Sequence, residues 1–216
     1  MKVLCIYCCG GMGREIAELS QRIMNWDHIV FVDDNTIHRV VDGIEVYTLE
    51  EVLNKYEKNH KEFIVTSGEP SIREELYNKL ANYGLKLTNI IDPNFIMSKT
   101  SYIREGTIIH TGVVITCNVH IGLGCLINKH AVIGHDVIIG DYSVISPNAT
   151  IGGNSTIGKC CYIGSGAIIR NGIKIGDNSI IGMGAVVLSD VQENSVMVGN
   201  PAKFIRNNDN RRVFTK

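Results

Sequence analysis

The sequence is short of the features that most often declare a partner or a compartment. Charge of one sign is lacking: across 216 residues the formal net charge is -1, which gives no electrostatic reason to expect a nucleic acid or an anionic membrane. Long apolar runs are lacking too, since no segment reaches the ~18 consecutive apolar residues of a membrane span. The first apolar run, Val3 to Cys9, halts at Gly10-Gly11 and meets Arg14 and Glu15. It is too short and wrongly flanked for a signal peptide and reads as a first strand. Seven cysteines are present, an odd number, with Cys8-Cys9 and Cys160-Cys161 adjacent. Neither zinc-finger spacing nor a secreted disulfide framework is there, so reduced, buried thiols are expected. The expectation is a soluble, cytoplasmic protein with room for one large domain or two small ones.

What is present is a repeat. Stepping six residues from Ile103 gives fourteen consecutive isoleucines on one register, ending at Ile181, with Val187 closing the series. Glycine directly follows the isoleucine at Gly122, Gly134, Gly140, Gly152, Gly158, Gly164, Gly176 and Gly182. Four residues after the isoleucine stands a mostly small residue, among them Cys125, Ala131, Ser143, Ala149, Ser155, Cys161, Ala167, Ser179 and Ala185. A period of six fits neither the helix nor simple strand alternation. It fits a short strand and a corner, three times per coil, as in a parallel β-helix. The β-branched residue fills the interior, the small residue shares the corner, and glycine is expected to supply the unusual backbone angles of the turn. The 15 hexads from Ile103 predict five coils of 18 residues with no long insertion, a prism ~24 Å tall at strand spacing. A purely structural prism, carrying no chemistry, is the alternative to weigh.

The first ninety residues alternate strand and helix. Residues 2–8, 28–32 and 63–66 read as strands, and 14–24, 48–56 and 71–83 as helices, with Thr48 and Glu51 forming a capping box. That order predicts a small parallel sheet of Rossmann-like type over residues 1–94, with Asp92-Pro93-Asn94 as the linker and the β-helix with its tail over 95–216. Gly10, Gly11 and Gly13 fall between a strand and a helix, where N–H groups and the helix dipole favour a phosphate. The pair Asp33-Asp34 stands where such units hold a ribose. Cys8 and Met12 occupy places where glycines would help, and a tight turn without a ligand is the competing reading.

Of seven histidines, His28, His38 and His60 lie in the front segment without a shared motif. His110, His120, His130 and His135 fall off the inward register and are expected to face outward. His135 is singled out because Asp136 follows it. Acyl transfer from a thioester needs a base for the attacking amine or hydroxyl, donors for the oxyanion and a groove that aligns two substrates. A histidine with an adjacent carboxylate is such a base. No spacing indicates a Ser-His-Asp or Cys-His nucleophile, so direct attack is expected.

The segments Cys9-Gly10-Gly11-Met12-Gly13-Arg14-Glu15, Phe31-Val32-Asp33-Asp34, Ile133-Gly134-His135-Asp136 with Ile139-Gly140-Asp141, and Gly199-Asn200-Pro201-Ala202-Lys203 together resemble the hexapeptide-repeat sugar acetyltransferases. These are the relatives of sialic acid O-acetyltransferase and of the UDP-4-amino-sugar N-acetyltransferases of bacillosamine synthesis. The resemblance implies a left-handed β-helix, a homotrimer, and acetyl-CoA as co-substrate between adjacent prisms, with no metal. It implies His135 as general base and Asp136 as the acid that raises its basicity. The nucleotide part of a small-molecule acceptor would lie at Gly10, Gly11 and Gly13, with Asp33, Asp34 and Gly68 nearby, and the coenzyme at Ser165 and Met183. Val144 stands where many members carry a second histidine against the acetyl group, and is expected to line the coenzyme site with Ser165, Met183 and Lys203. With an apolar side chain there, the oxyanion must be held by backbone N–H groups or by something else. The basic tail, Lys203, Arg206, Arg211 and Arg212, offers charge to the coenzyme phosphates or is a solvated terminus.

The implied activity is acetyl transfer to an amino or hydroxyl group of a nucleotide-linked sugar, with sialic acid O-acetylation as the alternative. Two other readings start from the same residues. A trimeric β-helix carbonic anhydrase would use His110, His130 and His135 on zinc, but these occupy different places within their hexads. A non-catalytic nucleotide-sugar binder would bind without turning over acyl-CoA.

Overall fold

The computed structural model describes residues 1–37 and 39–214; His38 lies outside them. The chain opens with β1 (Val3–Tyr7), α1 (Gly11–Ile23) and β2 (His28–Val32), followed by a short hairpin of β3 (Val40–Val41) and β4 (Ile44–Tyr47). Then come α2 (Leu49–Lys55), β5 (Lys61–Val65) and α3 (Pro70–Asn82). The capping box on α2 forms as expected, Thr48 accepting from the Glu51 N–H while Glu51 accepts from that of Thr48. The sheet order is β3-β4-β2-β1-β5, parallel from β4 to β5 with β3 as an antiparallel edge. The β3–β4 hairpin was not anticipated, because strands of two and four residues carry too little alternation to read.

The second unit is a three-sided coil of two-residue strands, β6 (Ile90–Ile91) through β22 (Val186–Val187), in three parallel sheets. The expected isoleucines from Ile109 onward point inward and are buried, together with the small residues four places later. The coil begins earlier than its isoleucine series: Ile91 and Met97 already occupy the inward register. Asp92-Pro93-Asn94 is therefore the first corner of the prism, ahead of the 94/95 boundary, and no linker. Asp92 is buried and accepts from the Asn94 N–H at 2.9 Å. After β22 the chain adds β23 (Ser195–Val198) to one face and folds back as β24 (Lys203–Asn207).

The corners assign the glycines differently from the expectation. Positive φ recurs three residues after each isoleucine, at fourteen consecutive corners from Gly106 to Gly184, where Gly and Asn predominate. Those residue types tolerate the left-handed conformation. The glycines directly after the isoleucine have ordinary φ and serve close packing instead. A Cβ at Gly134 would fall 2.6 Å from the Gly153 nitrogen, and one at Gly140 2.6 Å from backbone of the next coil.

The three faces have different fates. Face one, which begins with Ile90–Ile91, is covered by the front unit. Its outward residues Ile90, Ile108, Leu126 and Val144 join Leu4, Ile6, Ile16, Leu19, Phe31 and Ile64 in one core, each such side chain contributing about 1.5–3 kcal/mol. Fully buried Arg73 crosses this seam, donating to Gly124 O (2.7 Å), Cys125 O (3.3 Å), Val65 O (3.0 Å) and Ser67 O (2.8 Å). Both corners of face one are tied to the front unit, Lys129 to Glu15 of α1 at 2.5 Å and Lys159 to Glu74 of α3. Face two, from Ile96–Met97, and face three, from Tyr102–Ile103, leave Ile96, Val132, Ile168, Tyr102 and Ile138 exposed.

Candidate active site

His135 and Asp136 lie on the corner where face two turns into face three. Asp136 holds the left-handed position, φ 57°, which a short polar residue tolerates. That conformation turns its carboxylate back, so His135 Nδ1 and Asp136 Oδ2 are 2.8 Å apart. The other carboxylate oxygen accepts from Asn118 Nδ2 at 3.0 Å. Asn118 stands one coil earlier on the same corner. The hydrogen bonds from His135 and then Asn118 hold the Asp136 carboxyl below the usual carboxylate range. One coil later stands Gly153, and a Cβ there would meet His135 Nε2 at 2.6 Å. The missing side chain is what gives the imidazole its place. Its Nε2 stays open, with half the side chain exposed. The Gly153 N–H beside it donates to no protein acceptor among the described residues.

Asn118 and Gly153 were not picked out from the sequence, although the signal was there: 118, 136 and 154, like 135 and 153, differ by the 18-residue coil.

The other prism residues divide. Ser165 and Met183 are exposed, Met183 at 82%, on the corner between faces one and two, across face two from His135. Lys203 is exposed on β24. Val144 contradicts its expected role: it is 1% exposed, because nine residues past His135 is an outward position on face one, under the front unit. A side chain sealed there cannot touch a coenzyme. Arg211 is also committed elsewhere, to Asn178 Oδ1 at 2.8 Å and Glu74 Oε2 at 2.5 Å. His110 corrects the outward expectation for the histidines. It is 4% exposed against the front unit, with Nε2 unpartnered, and burial, helped by Lys129, pushes its pKa down to about 4. His110 and His130 share the corner between faces one and two, while His135 is on another. The three do not form a ligand set.

In the front unit a cleft of about 550 Å³ opens at the carboxyl ends of the strands, lined by Tyr7, Cys8, Asp33, Asp34, Ser67 and Lys79 among others. This is the switch-point crevice where doubly wound sheets take ligands. Cys8, at φ 79°, adopts the conformation of the glycine it replaces. Gly10 caps α1 and Gly11 opens it, and a Cβ on either would meet nothing, so the helix N-terminus is open to an anion. Gly13 serves packing, since a Cβ there would lie 2.1 Å from Cys8 O. Asp33 Oδ2 accepts from the Cys9 N–H at 3.3 Å. Asp34 is bound to Tyr7 Oη, to Lys79 Nζ at 2.7 Å and to the Leu49 N–H at 2.8 Å. Burial works against its charge, but those three hydrogen bonds prevail and lower its pKa. Gly68 is beside the cleft and next to Phe214.

Comparison with known proteins adds to this geometry. The PglD N-terminal domain model matches residues 3–80 and the GMPPB C-terminal domain model residues 91–200. No curated protein matches the chain. Among solved structures, the chain is similar to the acetyltransferase domain of PglB from Neisseria gonorrhoeae FA1090. The free domain is 30% identical with TM-score 0.90, covering 95% of this chain and 100% of that one. Its complex with acetyl coenzyme A is 30% identical with TM-score 0.89, covering 94% and 99%. A mutant of perosamine N-acetyltransferase from Caulobacter crescentus, in complex with CoA and GDP-perosamine, is 27% identical with TM-score 0.88, covering 96% and 98%. WeeI from Acinetobacter baumannii AYE is 28% identical with TM-score 0.90, covering 95% and 100%. A coil of the opposite hand would not superpose so closely; the β-helix is left-handed.

Proposed function

The chain belongs to the hexapeptide-repeat sugar acetyltransferases, and from that premise we propose that His135 is the general base by which it moves the acetyl group of acetyl-CoA onto a nucleotide-linked amino sugar. The observation that carries the reading is the array of Asn118, Asp136 and His135 ending in an open Nε2 over Gly153. As the amine attacks the thioester carbonyl, His135 Nε2 takes its proton while Asp136 accepts from Nδ1–H and fixes the tautomer. The carbonyl oxygen becomes an oxyanion and accepts from the unpartnered Gly153 N–H. Collapse breaks the carbon–sulfur bond, and the departing thiolate recovers the proton from His135. A perosamine N-acetyltransferase among the relatives favours nitrogen over oxygen as the acceptor atom.

The site is incomplete in one chain. The front unit covers face one, whereas His135 stands on the corner opposite that face. An acceptor held in a chain's own cleft therefore faces away from its own imidazole. A homotrimer resolves this by setting the front unit of one copy against the His135 corner of the next. The exposed apolar residues of faces two and three, Val132 and Ile138 flanking that corner among them, supply a surface to pack. Acetyl-CoA then lies along the gap between prisms, within reach of Ser165, Met183 and Lys203. In the cleft, Asp33 faces the ribose, and Gly10 and Gly11 the phosphates. No metal enters this scheme. No helix of the described residues is long and apolar enough to cross a membrane, and the cysteines are free, as suits the cytoplasm.

The test is release of CoA thiol from acetyl-CoA with UDP- and GDP-linked 4-amino sugars, and with free and CMP-linked sialic acid. Transfer to an amino sugar is expected, with His135→Ala reducing turnover at least ~100-fold at unchanged melting temperature. Equal rates in the two proteins would remove His135 as the base. Binding of nucleotide sugar without any CoA release would make the protein a binder.

A further inference from the structure

The last described residues form no frayed tail. After β24, Asn208 is buried and its Nδ2 donates to Asn178 O at 2.7 Å. Arg211 ties the same corner to Glu74 of α3. The chain then reaches the start of α3, where the Glu69 carboxylate accepts from the N–H of Val213 (3.0 Å) and Phe214 (3.1 Å). The segment is a strap from the end of the prism back to the front unit, fixed by charge-assisted hydrogen bonds.

Those bonds pin an aromatic ring in the open. Phe214 is 62% exposed, so its own burial does not explain its position. Its ring meets Tyr162 edge-on, centroids 5.7 Å apart, and lies 3.9 Å from where a Cβ of Gly68 would be. Tyr162 belongs to face one and packs against the core shared with the front unit. The ring thus borders the turn after β5, whose Ser67 lines the cleft. The nucleotide end of an acceptor is accounted for by the strand-end cleft and the phosphates by the open N-terminus of α1. The ring stands next to the cleft residue Ser67, outside the groups assigned to either.

We propose that Phe214, held by the strap, is a specificity-determining wall of the acceptor site that packs against the sugar of a nucleotide-linked amino sugar. The proposal rests on the acceptor-site reading above. A rigid ring presents a large apolar surface at small entropic cost, and the C–H face of a sugar ring is its counterpart. A Cβ on Gly68 would sit in ordinary van der Waals contact with the ring, at 3.9 Å.

The full chain is titrated by calorimetry, without acetyl-CoA, with UDP- and GDP-linked 4-amino sugars and with UDP and GDP alone. For the nucleotide it prefers, Phe214→Ala is expected to weaken the sugar nucleotide about 10-fold and leave the free nucleoside diphosphate unchanged, with Phe214→Tyr close to wild type. An unchanged melting temperature shows that the strap is still docked. Equal affinity of Phe214→Ala and wild type for the sugar nucleotide overturns the proposal. So does an equal loss for both ligands, which is the behaviour of a purely structural clasp. If wild type binds none of the four ligands, the acceptor site itself falls and this wall with it. If wild type binds but transfers no acetyl group, the catalytic reading fails while the wall stands.

Discussion

The prism and the front unit make corners in opposite ways. The prism repeats one turn, and a position that holds Gly or Asn at ten of fourteen corners carries little information at most of its occurrences. The front unit uses each turn once, so Cys8, Gly13 and Ser67 each have an individual task. The difference shows where function can enter a repeat, namely at the corners that break its composition. Four left-handed corners hold neither Gly nor Asn: His130, Asp136, Tyr142 and Cys160. Asp136 holds the hydrogen bond to His135 on which the proposed base depends. Tyr142 stacks on Tyr77 of α3, centroids 5.9 Å apart, and Cys160 is buried in the same seam. His130 lies over Gly112, where a Cβ would meet its ring at 2.3 Å. Strain of about 1–2 kcal/mol at a non-glycine corner persists where another part of the molecule makes use of the side chain.

The comparison breaks first, and hardest, at the seam between the two units. Arg73→Met leaves the carbonyls of Gly124, Cys125, Val65 and Ser67 without their buried donor. At about 1–3 kcal/mol for each orphaned acceptor, partly relieved by relaxation, the expected loss is about 3–5 kcal/mol. Thermal unfolding should show the front unit melting ahead of the prism. A single unchanged transition would mean that the face-one core alone holds them together.

Gly153→Ala probes the corner proposed to carry chemistry. The added methyl competes with the His135 ring for space, at 2.6 Å from Nε2, and should displace it. A shift of this order at the base is expected to cost about 30-fold in kcat, with a melting temperature close to wild type. If kcat is retained, the imidazole reaches the thioester from another rotamer.

Asn118→Ala is a smaller perturbation of the same array, about 5-fold in kcat. It frees one oxygen of Asp136, and the sign of the pH effect follows. Asn118 lowers the Asp136 pKa, so its removal lets the carboxyl protonate at higher pH. The ratio of variant to wild-type kcat/KM should therefore fall as pH falls toward the carboxylate range and be flat above neutrality. A ratio independent of pH would leave Asn118 with a structural role only.

The legible parts of the fold were those governed by local repetition. Every inward isoleucine from Ile109 is where a period of six puts it, and the Thr48–Glu51 box fixes α2. Met97 hid the first coil by breaking the isoleucine series, which moved the start of the prism and turned a corner into an apparent linker. At the proposed site, the contact between His135 and Asp136 was readable from adjacency. Val144 and His110 were not, because a period tells which residues point outward and not which face another unit will cover. Gly13 and Gly68 were assigned to a ligand together with Gly10 and Gly11. The close approach of Cys8 O gives Gly13 a packing role of its own, which the sequence pattern does not reveal.

The mildest test concerns a corner that breaks nothing. Asn148 is exposed at φ 59° on the corner between faces one and two, away from the base. Its N–H donates to Lys129 O at 3.0 Å, and among the described residues no side-chain hydrogen bond holds it. Asn148→Ala keeps that backbone bond but forces a Cβ-bearing residue without a polar tip into the left-handed region, at a cost of about 1 kcal/mol. Asn148→Gly removes the steric cost and adds chain entropy to the unfolded state, so the two nearly cancel. Chemical denaturation should rank wild type and Asn148→Gly together, with Asn148→Ala below them and transfer rates equal in all three. Were Ala as stable as Gly here, residue type at these corners would not be set by backbone conformation, and Asp136 would lose its standing as an exception kept for its chemistry.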